Sequence, residues 1–442
     1  MRIAWFSPLP PARSGIAAYS ADLVPRLAPA HDIDCFSELT ARDFLWKARR
    51  HPYNLVVYQL GNAPCHDYMW GYLAAFPGLV VLHDARLHQA RARDLLRQER
   101  FDDYRREFWY DHPDARRDFV EYAVAGLGGP IYYCWSMLRP VMRTARLVAV
   151  HNPRVAADLR DEFPGAAVES VHLGMAAAGP GAAGAATDGR GRVRASLGVP
   201  DEAVLFTAFG KITAEKRIGA ILRAFEAIAA EHAGVHLLLA GDASDYPSLE
   251  QELKASAHAR RIHVCGYVPD HAIGDYLAAA DACLCLRWPT ALETSASWLQ
   301  CLAAARPTVI SDLAHLVDIP TIAPGRGGAS PESADPVAIA IDLLDEEASL
   351  VDAMRALAGD EQMRHSLARA GHAYWSANHT PDVMARDYER LIALAAARPA
   401  PVAGDLPAHF SDDRSGTARA IADRFGIALD DVLGAGRLAP SS

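Results

Sequence analysis

Between residues 204 and 310 short apolar runs alternate with amphipathic stretches, and no other feature limits the possible folds so strongly. Runs at 204–209, 235–240, 262–265, 282–286 and 307–310 are rich in aliphatic and aromatic residues, and each is followed by a glycine or a polar residue within a few positions. Runs so uniformly apolar suit strands buried on both faces, and strands separated by helices pair in parallel. Residues 216–232 show the intervening pattern, with Ile218, Ile221, Leu222, Phe225 and Ile228 on one helical face. Helices are also expected at about 247–257, at about 270–280 and up to Ala305. The first half repeats the scheme, with strands at 2–6, 33–36, 54–59, 78–82, 147–150 and 168–172 and a helix at about 16–27. The expected fold class is α/β, two Rossmann-like doubly wound domains, for which 442 residues are ample. The stretch 176–191 is almost wholly Ala, Gly, Pro and Thr and reads as the linker between them.

Doubly wound sheets bind ligands beyond the carboxyl ends of their strands. Gly210 turns the chain after the 204–209 run, and Lys211 and Lys216 fall on the loop and on the first helical turn. A helix N-terminus offers free N–H groups and partial positive charge, so two lysines there suit a phosphate; a merely basic surface loop is the alternative. After 282–286, Thr294, Ser295 and Ser297 are suited to cap a helix, with Glu293 at its mouth and Gln300 two turns on along one helix face. An ordinary capped helix beside a solvated Glu reads equally well. In the first half, Ser14-Gly15 opens the helix at 16–27, and His83-Asp84 ends the strand at 78–82. Gly15 is either a point where substrate nears the backbone or a plain helix-entry glycine. A histidine at a strand end either reaches into the ligand crevice or is a satisfied structural residue, the commoner case.

Residues 86–146 depart from the pattern. They hold twelve Arg against nine Asp plus Glu, a balance of +3 in a chain of net charge −10. Phe101, Tyr104, Phe108, Trp109, Tyr110, Tyr132, Tyr133 and Trp135 are interleaved. The segment reads as a helical insertion broken at Pro113 and at 126–130, either an acceptor-binding or membrane-surface element or, preferably, a solvated insertion with its aromatics turned inward.

An acidic chain of pI about 6.0 argues against nonspecific nucleic-acid binding. Seven cysteines, an odd number with no C-x-x-C, read as reduced thiols of a cytoplasmic protein. No run is apolar enough to span a membrane, and Pro8, Pro10 and Pro11 break the first apolar run before it reaches the length of a signal-peptide core. Asp32-Ile33-Asp34, the one Asp-x-Asp triplet, opens a strand at the end away from the ligand crevice, so no metal site is expected.

Gly210-Lys211 with Lys216, then Gly241-Asp242, Gly266-Tyr267-Val268 and the Glu293 loop, in this order and spacing, resemble the C-terminal domain of a group 1 (family 4) glycosyltransferase of GT-B architecture. Ser14-Gly15, His83-Asp84 and the stretch from Val171 to Gly174 fit its N-terminal domain less specifically. The resemblance covers about residues 1–395. It implies two Rossmann-like domains facing across a cleft that holds a nucleotide-sugar donor. It implies an N-terminal acceptor domain at 1–175 with the insertion at about 86–146, a linker at 176–200 and a nucleotide-sugar domain at 201–380. A helix at 381–397 crosses back to the N-terminal domain, and 398–442 is a tail with a small helical appendage.

By the same resemblance Lys211 and Lys216 hold the diphosphate, and the Tyr267–Val268 backbone meets the nucleobase. Glu293 with Thr294, Ser295, Ala296 and the rest of its loop holds sugar and phosphate. His83 approaches the donor sugar, and Gly15 lies in a loop closing over donor or acceptor. His83, Glu293 and Lys216 are the expected catalytic residues. The implied activity is a retaining hexosyltransferase that needs no metal and no cofactor. Its acceptor is a glycan, a lipid-linked or a small molecule, as in polysaccharide biosynthesis. The implied location is cytoplasmic, at the inner membrane surface where the acceptor is lipid-linked. The sequence departs from the family at one point. The usual Glu-x₇-Glu would put its second Glu at Cys301; counted back from Pro307 the ribose position falls on Gln300, an amide without charge. That departure keeps open a sugar-nucleotide-binding subunit without activity. A GT-B-shaped sugar-nucleotide epimerase is a third reading, for which no suitable carboxylates are identified.

Overall fold

The computed structural model describes residues 1–12, 14–177, 186–324, 335–402, 404–410 and 416–428. The glycine-rich turn after Pro324, the start of the linker, Asp430-Asp431 and the end of the tail lie outside the described residues.

Two compact units result. The first comprises 1–171, 291–293 and 385–442, and the second 172–290 and 294–384. In the first, β1 (Arg2–Phe6), α1 (Gly15–Leu27), β2 (Asp32–Phe36), α2 (Asp43–Arg50), β3 (Leu55–Leu60), α3 (Met69–Ala75) and β4 (Leu79–Leu82) follow in order. The insertion then contributes α4 (His88–Arg97), α5 (Phe101–Asp111), α6 (Arg117–Val124) and α7 (Arg139–Thr144) before β5 (Leu147–Val150), α8 (Pro153–Glu162) and β6 (Val168–Ser170). All six strands are parallel, in the order β2-β1-β3-β4-β5-β6. The order reverses between β1 and β3, so the switch point of this sheet lies beyond their ends.

The second unit runs α9 (Ala186–Leu197), β7 (Val204–Phe209), α10 (Ile218–Glu231), β8 (Val235–Ala240), α11 (Leu249–Ala255), β9 (Ile262–Val264), α12 (Ile273–Ala279) and β10 (Ala282–Cys285). It continues with α13 (Ala296–Ala303), β11 (Thr308–Ser311), β12 (Thr321–Ile322), β13 (Ala338–Ile341), α14 (Glu346–Gly359) and α15 (Glu361–Asn378). Its seven parallel strands are ordered β12-β13-β11-β10-β7-β8-β9, with the switch between β7 and β10. Phe206, Ala208, Leu237, Leu239 and Leu284 face one core of this sheet, while Leu205, Phe209, Leu238, Ala240 and Cys283 face the other. Burial on both faces is why these strands read as unbroken apolar runs. Helix α16 (Pro381–Ala396) begins in the second unit and continues in the first, and α17 (Gly416–Arg424) lies in the tail.

Two expectations need correction. The linker expected at 176–200 contains α9, despite its glycines and alanines. Arg194 anchors this helix: fully buried, it bonds Asp281 at 3.0 Å and the carbonyls of Ala279 and Pro200, while Arg190 pairs with the other Asp281 oxygen. Tertiary bonds thus override weak local propensity. Helix α10, expected from Lys216, starts at Ile218 instead. Arg217 takes the left-handed conformation with φ 59°, held by a two-pronged pair to Glu346, so 214–216 form a separate 3₁₀ turn.

The insertion follows the inward reading. Tyr104, Phe108, Leu95, Val120 and Met137 form its own core, with Trp109, Phe119, Tyr132 and Trp135 packed on it. Among the described residues no helix is long and apolar enough to cross a membrane, and no disulfide or metal-holding group of His, Cys, Asp and Glu occurs.

Candidate active-site residues

The switch point of the second sheet brings several of the expected residues together. Gly210 follows β7 with φ 93°, a conformation that favours glycine. A Cβ there would come within 2.6 Å of the Lys216 ammonium and 3.5 Å of Ser297 Cβ. Gly241, after β8, is packed against the Gly210 carbonyl so closely that a side chain would strike it. The 210 turn, Lys216 and the start of α13 therefore converge.

The Lys216 ammonium donates one hydrogen bond, to the Phe209 carbonyl at 2.7 Å, and its other two N–H groups have no acceptor among the described residues. Burial, then the nearby Arg287 guanidinium, push its pKa down from 10.5 to about 8. Helix α13 is capped by Ser295, whose hydroxyl accepts from the Trp298 N–H at 3.2 Å and lies 3.2 Å from Ser297 Oγ. The N–H groups of Ala296 and Ser297 have no acceptor among the described residues, which leaves them for an anion. The half-buried Gln300 side chain likewise makes no hydrogen bond there.

Other expected residues are placed differently. Lys211 is exposed and pairs with Asp245 at 2.5 Å, so the two lysines do not converge. Val268 is buried in the core and Tyr267 is exposed, which fixes their loop by its valine. Glu293 and Gln300 do not share a helix face. Glu293 precedes α13 and groups with the first unit, where one carboxylate oxygen accepts from the Ala291 N–H at 2.8 Å. Before it, Leu292 has φ 62°. Leu292 packs on the first unit's core and the Ala291 carbonyl accepts from the Ala85 N–H, which together offset about 1–3 kcal/mol of backbone strain.

Cys301 is fully buried beside Cys285 at 3.9 Å, and the neighbouring thiols of Cys283 and Cys285, with burial, push its pKa well up. It is a core residue and no ribose ligand.

In the first unit, Ser14 caps α1 by accepting from Ile16 and Ala17 N–H. A Cβ on Gly15 would meet nothing within 4 Å, so packing does not require glycine at this position. His83 is enclosed in a polar network. One ring nitrogen lies 2.9 Å from Gln59 Oε1 and the other 3.3 Å from His151. Gln59 in turn donates to Tyr388 at 3.0 Å, and the Tyr19 hydroxyl donates to the Tyr388 hydroxyl at 2.7 Å. Burial, with His151 and His66 nearby, holds His83 well below the ordinary histidine pKa, hence neutral. Sequence reasoning missed Arg287, Gln59, Tyr19 and Tyr388. Arg287, just past β10 at the switch, had a readable signal in its position; Tyr388 had none. A cavity of about 420 Å³ lined by Arg139, Arg143, Arg146 and Arg398 opens at the opposite end of the first sheet, away from these residues.

Residues 203–358 match the family model of glycosyl transferases group 1. The second unit is a group 1 glycosyltransferase domain. Nearly nine-tenths of the chain, 89%, has the GT-B fold of solved glycosyltransferases. Sucrose-phosphate synthase of Thermosynechococcus elongatus superposes with a TM-score of 0.62 at 15% identity, over 88% of this chain and 98% of that one. Anabaena HepE, solved with UDP-glucose, gives 0.61 at 13% identity over 89% and 99%. WaaG, a glycosyltransferase of lipopolysaccharide biosynthesis, gives 0.55 at 11% over 89% and 99%. No curated protein matches the chain.

Proposed function

We propose that this protein is a retaining hexosyltransferase that moves a sugar from a nucleotide-sugar, with a UDP-sugar as the first candidate, to a glycan, lipid-linked or small-molecule acceptor, as in polysaccharide biosynthesis. The observation that carries the reading is the convergence of Gly210, Lys216 and the capped start of α13 at the switch point of a group 1 domain. In transfer the bond from the anomeric carbon to the diphosphate oxygen breaks, a bond to an acceptor hydroxyl oxygen forms, negative charge gathers on the departing diphosphate, and the hydroxyl's proton passes to it. The Lys216 ammonium and the N–H groups of Ala296 and Ser297 stabilise that charge. Lys211, once released from Asp245, adds to it. The Tyr267–Val268 loop serves the base, Thr294 and Ser295 the phosphate, and Gln300 the ribose. Glu293 binds sugar hydroxyls. The acceptor is assigned to the first unit, where Gly15 leaves backbone accessible and His83 orders the strand ends. The protein works in the cytoplasm, at a membrane surface when its acceptor is lipid-linked.

Thermal shifts against a panel of nucleotide-sugars, followed by donor-dependent release of nucleoside diphosphate, test the reading, since a ligand raises apparent stability by mass action. Binding without release in the presence of any acceptor would favour the second reading, a binding subunit without activity, which the buried thiol at Cys301 supports. Because lysine and helix N–H groups serve the leaving charge, turnover is expected to persist in EDTA; loss restored by Mn²⁺ or Mg²⁺ would refute the metal-free step.

A further inference from the structure

The turn at 37–42 and helix α2 pack on the first unit by one side only. Ala41 and Phe44 are buried and Ala48 half-buried, at the spacing of one helical face, with the Phe44 ring stacked on Tyr53 and edge-on to Phe76. The other face of α2 is formed by positions 42, 45, 46, 49 and 50, with Leu39 in the preceding turn and the exposed acids Glu38 and Asp43 at its border. There Leu39 is 82% exposed, Trp46 69% and Leu45 36%. Arg42, Arg49 and Arg50 are exposed as well and their side chains make no ion pair or hydrogen bond among the described residues, whereas Lys47 at the edge is held by Asp34 at 2.9 Å. Single exposed apolar side chains are ordinary, but a contiguous set among unpaired cations marks an interaction surface.

The insertion at 86–146 provides the contrast. Its surplus of arginines is largely spent: Arg91 on Glu107, Arg93 on Asp67, Arg100 and Arg106 on Asp103, Arg105 on Glu121, and Arg143 on Asp405. Its aromatics are mostly turned inward. The segment that looked basic and aromatic in sequence is thus largely neutralised, with Arg97 and Arg117 its unpaired exceptions among the described residues, whereas three cations stand unpaired together on α2's outer face.

We propose that this face of α2 seats the first unit on an anionic lipid surface. An indole and two leucines suit the boundary between headgroups and acyl chains, and three guanidinium groups on the same face suit lipid phosphates. A net charge of −10 repels the rest of the chain from such a surface, so orientation falls to this patch. The proposal deepens the membrane-surface placement given above, yet its test needs neither donor nor acceptor, so failure of the transferase reading and failure of the patch are separate results.

The full chain is sedimented with vesicles of phosphatidylcholine, alone or with about a third of the lipid replaced by phosphatidylglycerol. Binding is expected to the mixed vesicles only, and to weaken with salt. At about fivefold per arginine, the triple change Arg42→Gln, Arg49→Gln and Arg50→Gln should weaken it on the order of a hundredfold, and Trp46→Ser should also weaken it, both with unchanged melting temperature. Arg116→Gln with Arg117→Gln, exposed positions of the insertion, should leave binding intact. The proposal fails if the parent ignores phosphatidylglycerol, or if the triple variant binds like the parent. It also fails if the insertion variant loses as much, or if Trp46→Ser merely splits a dimer that never touched vesicles.

Discussion

The two sheets end in opposite ways. At the strand ends of the first unit, His83, Gln59, His151, Tyr19 and Tyr388 satisfy one another, and His83 has both ring nitrogens engaged. At the switch point of the second unit, two Lys216 donors and the N–H groups of Ala296 and Ser297 have no acceptor among the described residues. Polar groups that saturate each other stiffen a scaffold, whereas donors held in place but left unpaired await an acceptor. On the function proposed above, the difference favours the second unit as the seat of the anion and a scaffolding role for the first unit's network.

The largest effect expected from this contrast is at Lys216. Lys216→Ala should cost about 2–4 kcal/mol in kcat/KM, the scale of one lost electrostatic contact to a leaving charge. His83→Ala, by removing an already engaged ring, should instead lower melting temperature more than turnover. Steady-state kinetics beside thermal melts would break the contrast if Lys216→Ala kept its kcat/KM.

Next in size is the carboxylate at 293. Glu293→Gln should cost about 1.5–3 kcal/mol in turnover, against about 0.5–1.5 for nucleotide binding by Gln300→Ala, because a carboxylate bond is charge-assisted and an amide bond is not. Gln300→Glu sharpens the point. If the Gln300 side chain meets the ribose, the new carboxylate should keep or tighten nucleoside-diphosphate affinity. Early melting with lost affinity would mean that Gln300 only packs, since an unpaired charge would then be buried.

The pH dependence follows from Lys216. Its folded pKa of about 8 lies below the unfolded value of 10.5, so between these limits the unfolded chain binds more protons and this group's contribution to stability rises with pH. Diphosphate affinity should move the other way. It needs the charged amine and should weaken about tenfold per pH unit above about 8, whereas a flat affinity profile to pH 9.5 would free Lys216 from the diphosphate.

Most of the fold was legible because burial on both faces writes β7, β8 and β10 as continuous apolar runs, and because Gly210 and Gly241 meet a steric need that only glycine fills. The Ser295 cap was legible for the same local reason. What sequence could not supply were partners brought from afar. Arg217 is held left-handed by Glu346, α9 is fixed by Asp281, and the loop from Ala291 to Glu293 is bound to Ala85. Spacing alone put Glu293 and Gln300 on one helix, because nothing local announces that Leu292 turns the chain before α13 begins.

The smallest expected effect is a null on binding, and it probes the first unit's side of the contrast. Tyr388 is fully buried on α16, where its hydroxyl accepts from Tyr19 and from Gln59, residues separated from it by 369 and 329 positions. Tyr388→Phe keeps the ring packed against Trp5 at 5.6 Å and removes only the oxygen. The orphaned Tyr19 hydroxyl and Gln59 amide should then cost about 1–3 kcal/mol of stability. Through Gln59 the loss also loosens one of the two bonds on His83. If the network is scaffold, melting temperature falls and nucleoside-diphosphate affinity stays within twofold of the parent, an effect of under about 0.5 kcal/mol. If affinity instead falls tenfold while the melt is unchanged, the hydroxyl is a ligand contact, and the first unit's network is more than scaffold.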